Sequence, residues 1–126
     1  MKSEIISIFK KDDDIKKITD RIKNYSFDDF LRHEHFEFSV MEKATDEKVL
    51  KEVFTKFNLI KTIELRENEK GEKYYGFNYE LKDGTFVVIS LSLEGKTPMI
   101  INGYYAKRNY KQFEKNLRKN YSNRFI

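Results

Sequence analysis

Between Ile60 and Tyr105 the chain settles into a period of two. Val87, Ile89, Leu91 and Leu93 alternate with Phe86, Val88, Ser90 and Ser92, and similar alternation marks runs at 60–66, 73–81 and 99–105. Successive side chains of a strand point to opposite faces, so each run reads as a strand. The segments between them are short and carry turn residues: Gly71, then Asp83-Gly84, then Gly95 and Pro98. Strands joined so tightly run antiparallel, because a parallel neighbour needs a long crossover. The run from 60 to 105 therefore predicts a four-stranded antiparallel meander.

Upstream the spacing is helical. Residues 3–9 read as a short helix or an arm. Asp14 opens a helix to Asn24, with Ile15, Ile18 and Ile22 on one side. Ser26 with Asp29 is a second cap signal, with Phe27, Phe30 and Leu31 as its apolar stripe. Residues 32–43 stay open between two readings: Phe36, Phe38 and Val40 alternate like a strand, while Leu31, Phe38 and Met41 suit a helix. Thr45 caps the next helix, whose apolar face is Val49, Leu50, Val53, Phe54 and Phe57, and Asn58 ends it. A last helix spans 108–121, with Tyr110, Phe113, Leu117 and Tyr121 on the docking side and Lys107, Lys111, Lys115 and Arg118 facing away. The expected class is α+β: N-terminal helices on a four-stranded antiparallel meander sheet, with a C-terminal basic helix. The 126 residues suit a single domain, 1–58 mainly helical, 60–105 the sheet and 108–121 the last helix.

Composition narrows the functional classes. With no cysteine, a disulfide scaffold, a thiolate zinc site and a cysteine nucleophile are excluded. The opening residues do not read as a signal peptide and no apolar run approaches a membrane span, so a cytoplasmic location without membrane contact is expected. No cofactor and no metal are expected. Charge is uneven. Residues 104–126 hold seven Lys and Arg against Glu114 (net +6), and the rest holds 18 basic and 20 acidic residues (net −2). Excess positive charge at one end points to a polyanionic partner.

Splitting the strands by face leaves one apolar face for the helices. The other collects Thr62, Glu64, Arg66, Tyr74, Asn78, Glu80, Ser90, Ser92, Asn102 and Tyr104 and is expected to be free. This order of elements resembles the RelE-like toxins, within the wider group of barnase, colicin and RelE-type ribonucleases. The likeness lies in His33-Glu34-His35 ahead of Ala44-Thr45-Asp46-Glu47-Lys48-Val49, and in Lys73-Tyr74-Tyr75-Gly76 leading into Asp83-Gly84-Thr85; it covers roughly 32–105. The chain departs from the pattern at Met41, Glu42 and Lys43, where many members carry arginine, and at Asn102, where some carry threonine.

The resemblance implies RNA cleavage without a metal, the 2′-hydroxyl attacking the adjacent phosphate. That reaction needs a base, an acid and positive charge at the phosphorane. His33 and His35, with an ordinary pKa of about 6.5, suit acid–base work. Glu64 and Glu80 are candidate bases, and Arg66 is a candidate phosphate clamp. Tyr74 and Tyr104 are candidate stacking platforms, with Asn102 on the same face, and Lys107, Arg108, Lys111 and Lys115 would hold the backbone. A ribosome or an antitoxin is a candidate protein partner, and oligomeric state is not legible. Two other classes stay open: a non-catalytic nucleic-acid-binding module, and a protein-interaction domain of antitoxin or immunity type.

Overall fold

The computed structural model describes residues 3–126. In chain order the elements are β1 (Ser3–Phe9), α1 (Asp12–Thr19), β2 (Leu31–Arg32), α2 (Glu34–Glu42), α3 (Glu47–Phe54), β3 (Ile60–Asn68), β4 (Lys73–Glu80), β5 (Phe86–Ser92), β6 (Met99–Ala106) and α4 (Tyr110–Asn120). The strands form one six-stranded sheet in the order β1-β3-β4-β5-β6-β2. Neighbours are antiparallel except β2, which runs parallel to β6.

This corrects the four-stranded antiparallel meander. The meander is the middle of a larger mixed sheet, with a strand added at each edge from the N-terminal half. Residues 3–9 are a strand, neither helix nor arm. A bulge between Ile5 and Ser7 breaks the two-residue period there. Ile5 and Ile8, three apart, therefore bury together against Leu117, and a spacing of three imitates a helix. β2 has only two residues, too few for any periodicity. It is held by Leu31 N–H on Pro98 O (3.0 Å) and His33 N–H on Ile100 O (2.9 Å).

The helices shift in similar detail. Residues 34–42 are α2, with His33 as its N-cap and Nδ1 accepting from His35 N–H at 3.1 Å. Asp46, not Thr45, caps α3 by accepting from Lys48 N–H. Thr45 Oγ1 instead accepts from Tyr105 N–H at 3.0 Å. α3 stops at Phe54, and a 3₁₀ turn at Phe57–Leu59 leads into β3. Lys11 rather than Asp14 precedes α1, which ends at Thr19. The Ser26–Asp29 capping box is present but opens only one 3₁₀ turn, and Leu31 is exposed.

One sheet face is buried under α1, α2 and α3. Ile15, Ile18, Phe36, Leu50, Val53 and Phe54 meet Ile63, Phe77, Tyr79, Val87, Ile89, Leu91 and Ile100 there. Each such side chain contributes about 1.5–3 kcal/mol on burial, which makes this the main core. Tyr79 Oη donates to Phe54 O at 2.9 Å, closing the last turn of α3 onto the sheet.

The opposite face is not free. α4, capped by Asn109 on Gln112 N–H, lies across it. Tyr110 N–H donates to Gly84 O at 2.7 Å, fixing the start of α4 to the β4–β5 hairpin. Gly84 has φ +86°, a conformation glycine adopts without a Cβ clash. Tyr110 and Phe113 pack on Phe86, with ring centroids 5.6 and 4.7 Å from it. Thr62, Glu64, Tyr74, Asn78 and Ser90, expected at an open surface, are all buried. α4 docks here because Phe86, Val88 and Ala106 make this end of the face apolar. Among the described residues no helix is long and apolar enough to cross a membrane.

Candidate functional site

α4 covers only part of the second face, and the remainder is a polar pocket of about 230 Å³. Its floor is the middle of the sheet: Glu64 and Arg66 on β3, Tyr74, Gly76 and Asn78 on β4, Ser90 on β5. Asn102 and Tyr104 on β6 form one wall, and Arg108 and Phe113 the other. Strand register explains the gathering. Glu64, Gly76, Ser90 and Asn102 are successive partners in one row across the strands, and partners share a face. Gly76 keeps the row open. A Cβ there would sit 3.6 Å from Ser90 Oγ and 4.0 Å from Glu64 Cβ, filling space that is now part of the pocket.

Glu64 is buried and ionically paired. Its Oε1 accepts from Arg66 Nε (3.0 Å) and from a terminal Arg66 nitrogen (2.6 Å). Its Oε2 accepts from Asn78 Nδ2 at 2.8 Å. The other terminal nitrogen of Arg66 donates to Ser3 Oγ at 3.1 Å. A buried carboxylate is tolerable only with such partners. The network continues to α4. Asn78 Nδ2 also donates to Thr62 Oγ1 (3.0 Å), Thr62 lies 2.9 Å from Tyr110 Oη, and Tyr110 Oη donates to Glu114 Oε1 (3.0 Å). Because Tyr110 gives its proton to Glu114, the Thr62 hydroxyl is the donor to Tyr110. The direction of the whole chain is thereby set.

Several polar groups in the pocket have no partner. Asn78 Oδ1 and Asn102 Oδ1 are buried and accept no hydrogen bond among the described residues. Buried acceptors are normally satisfied, so their common position is informative. The Arg108 guanidinium stacks on Phe86 and Phe113, 5.5 and 5.2 Å from the ring centroids. It makes no ion pair among the described residues. Lys43 Nζ lies 5.5 Å from the Tyr104 ring. Burial pushes the Tyr104 hydroxyl pKa up; Glu64 adds to the rise, and Arg108 and Arg66 oppose it. Tyr104 therefore holds its proton at neutral pH. With one carboxylate already held by Arg66, the free electrostatic capacity is cationic. The arrangement suits an anionic group that also brings hydrogen-bond donors.

Of the residues singled out in the sequence, the pocket gathers Glu64, Arg66, Tyr74, Asn102, Tyr104 and Arg108. It does not gather the histidines. His33 and His35 line a separate depression with Phe38 and the β3–β4 turn, and His33 Nδ1 is occupied as a helix cap. Glu80 stands at the far end of β4, opposite Phe86. Lys107, Lys111 and Lys115 are exposed on and beside α4. Alternation puts Gly76 on this face with Tyr74 and Asn78, but Lys43 and Phe113 stand on no strand and escape a reading by strand face. Only the stripe of Tyr110, Phe113, Leu117 and Tyr121 signals that α4 docks, and not on which face; of the four, Tyr121 follows the end of α4 and is exposed.

Compared with family models, with curated protein sequences and with solved structures, the chain matches none.

Proposed function

We propose that this protein binds RNA, seating a phosphate group of the strand in the pocket between the second sheet face and α4. The observation that carries the reading is Arg108. It is a guanidinium without an ion pair among the described residues, held by two aromatic rings at the mouth of a pocket that also contains Arg66. A planar guanidinium matches phosphate bidentately, and stacking lowers the cost of ordering it. Lys107, Lys111 and Lys115 continue the positive surface along α4 for neighbouring phosphates. Tyr104, partly exposed at the pocket, supplies a ring face for a base, whereas the buried Tyr74 offers none. The resemblance of residues 32–105 to RelE-like toxins supports the same class of partner.

Fluorescence anisotropy of a labelled single-stranded RNA, titrated at several salt concentrations, tests this. Affinity should fall steeply as salt rises. Arg108→Ala should weaken binding about tenfold, and Lys111→Ala should reduce the salt slope by about 1. Salt-insensitive binding, or no binding, rejects the reading.

A specific geometry favours cleavage as a second reading. Glu64 pairs with Arg66 and lines the same pocket as Arg108, which sets a base in one pocket with two cations. Glu64 would take the 2′-hydroxyl proton, the arginines would neutralise the phosphorane, and Tyr104 would protonate the leaving 5′ oxygen. Mixed RNA on a denaturing gel should then show cleavage that survives EDTA. Glu64→Gln should abolish it and His35→Ala should leave it, because His35 stands in another depression. The reverse pattern would remove Glu64 from the chemistry.

A further inference from the structure

The stripe that sequence spacing suggests as core on α2 faces solvent instead. Phe38 is 59% exposed and Met41 79%, one helical turn apart, and Leu31 on the neighbouring edge strand is 52% exposed. The His35 ring lies 5.8 Å from Phe38. Single exposed apolar residues are ordinary, but an aromatic and a methionine on one helix face form a patch.

This patch borders an acidic trough. Phe38, His33 and His35 wall a depression of about 620 Å³ whose far side is the β3–β4 turn, with Glu69, Lys70 and Glu72. Through Asn68 and Glu69 it runs into a second depression, of about 520 Å³, beside Ser3, Glu4 and Glu67. Glu4, Glu34, Glu67, Glu69 and Glu72 thus line a trough in which Lys70 is the one Lys or Arg among the described residues, beside His33 and His35. None of these carboxylates is in an ion pair among the described residues. Glu4 also sits directly opposite Glu67 across the β1–β3 pair, an arrangement that destabilises a sheet.

We infer that this trough docks a cationic polypeptide segment that carries apolar side chains. The partner's Lys or Arg would relieve the facing glutamates, and its apolar anchors would cover Phe38 and Met41. An apolar centre with a charged rim is the usual composition of a protein interface. RNA is repelled by the same carboxylates that attract the peptide. A two-fold pairing of this face with itself would set acid against acid.

The probe is a labelled peptide alternating leucine and arginine, followed by fluorescence anisotropy. It should bind the wild-type chain, more weakly as salt rises, while a leucine–glutamate peptide should not bind. The double variants Phe38→Ser with Met41→Ser, and Glu67→Gln with Glu69→Gln, should each weaken binding about tenfold. Thermal melts of both variants check that the fold persists. Both should bind labelled RNA as the wild type does, so failure here is separable from failure of the RNA reading. Three outcomes overturn the inference: no binding of the leucine–arginine peptide, equal affinity in the variants, or a wild-type dimer in sedimentation that Phe38→Ser with Met41→Ser dissolves.

Discussion

Asn78 is the joint of the second sheet face. One amide nitrogen reaches Thr62 and Glu64 together, and Thr62 passes the connection to Tyr110 and Glu114 on α4. Tyr110→Phe would leave the buried Thr62 hydroxyl without its acceptor, a loss of about 1–3 kcal/mol readable by urea unfolding. Glu114 carries a pH signature. Burial raises its pKa, but hydrogen bonds from Lys10, Tyr110 and Arg118 outweigh it and hold the carboxyl below its ordinary value. A group depressed in the folded state stabilises above its unfolded pKa, and that stability disappears as pH falls through the folded value. Stability should therefore drop on acidification below the ordinary carboxylate range, and Glu114→Gln should flatten that part of the melting profile. Gly76 separates ligand binding from stability. Gly76→Ala meets only ordinary van der Waals contacts, so melting should hold while RNA affinity falls, since the methyl occupies the pocket.

At the scale of elements, close packing and edge pairing decide what local preference leaves open. Gly103 lies in the interior of β6, where a strand former would be preferred. A Cβ there would stand 2.8 Å from Leu50 Cδ1 and 3.5 Å from Phe36, because α2 and α3 press onto β6 at that point. Gly103→Ala should cost about 1–3 kcal/mol through overpacking, seen as a lower melting temperature. The edge strand β1 carries the opposite lesson. Glu4 faces Glu67, so Glu4→Gln should raise stability by about 0.2–1 kcal/mol at low salt, and the gain should shrink as salt screens the pair. β1 is also guarded. Ile126 N–H donates to Ile8 O at 3.0 Å and Phe125 bridges Ile8 in parallel, which covers part of a sheet edge that would otherwise invite pairing with another chain.

For the molecule as a whole, opposite charges lie on different surfaces. α4 and its flanks are basic, and the trough beside β1, the β3–β4 turn and α2 is acidic; the pocket and the trough share Ser3. Removing residues 107–126 should expose Phe86, Val88 and Ile8 together, giving a chain that aggregates on size-exclusion chromatography rather than a smaller folded domain. The sequence by itself determined what depends on neighbours along the chain. The α+β class, the four central strands, both faces of those strands and the docking stripe of α4 all follow from periodicity, which is local. It also drew together Glu64, Arg66, Tyr74, Asn102 and Tyr104, because alternation assigns each residue a face before any contact is known. Tertiary structure decided the rest. It paired β1 and β2 with strands far along the chain, laid α4 over the face that alternation had left open, and turned Phe38 and Met41 outward. It also put His33 and His35 in a different depression from Glu64. Those outcomes rest on which surfaces bury each other, an energy that exists only between segments distant in sequence, and no spacing within one segment encodes it.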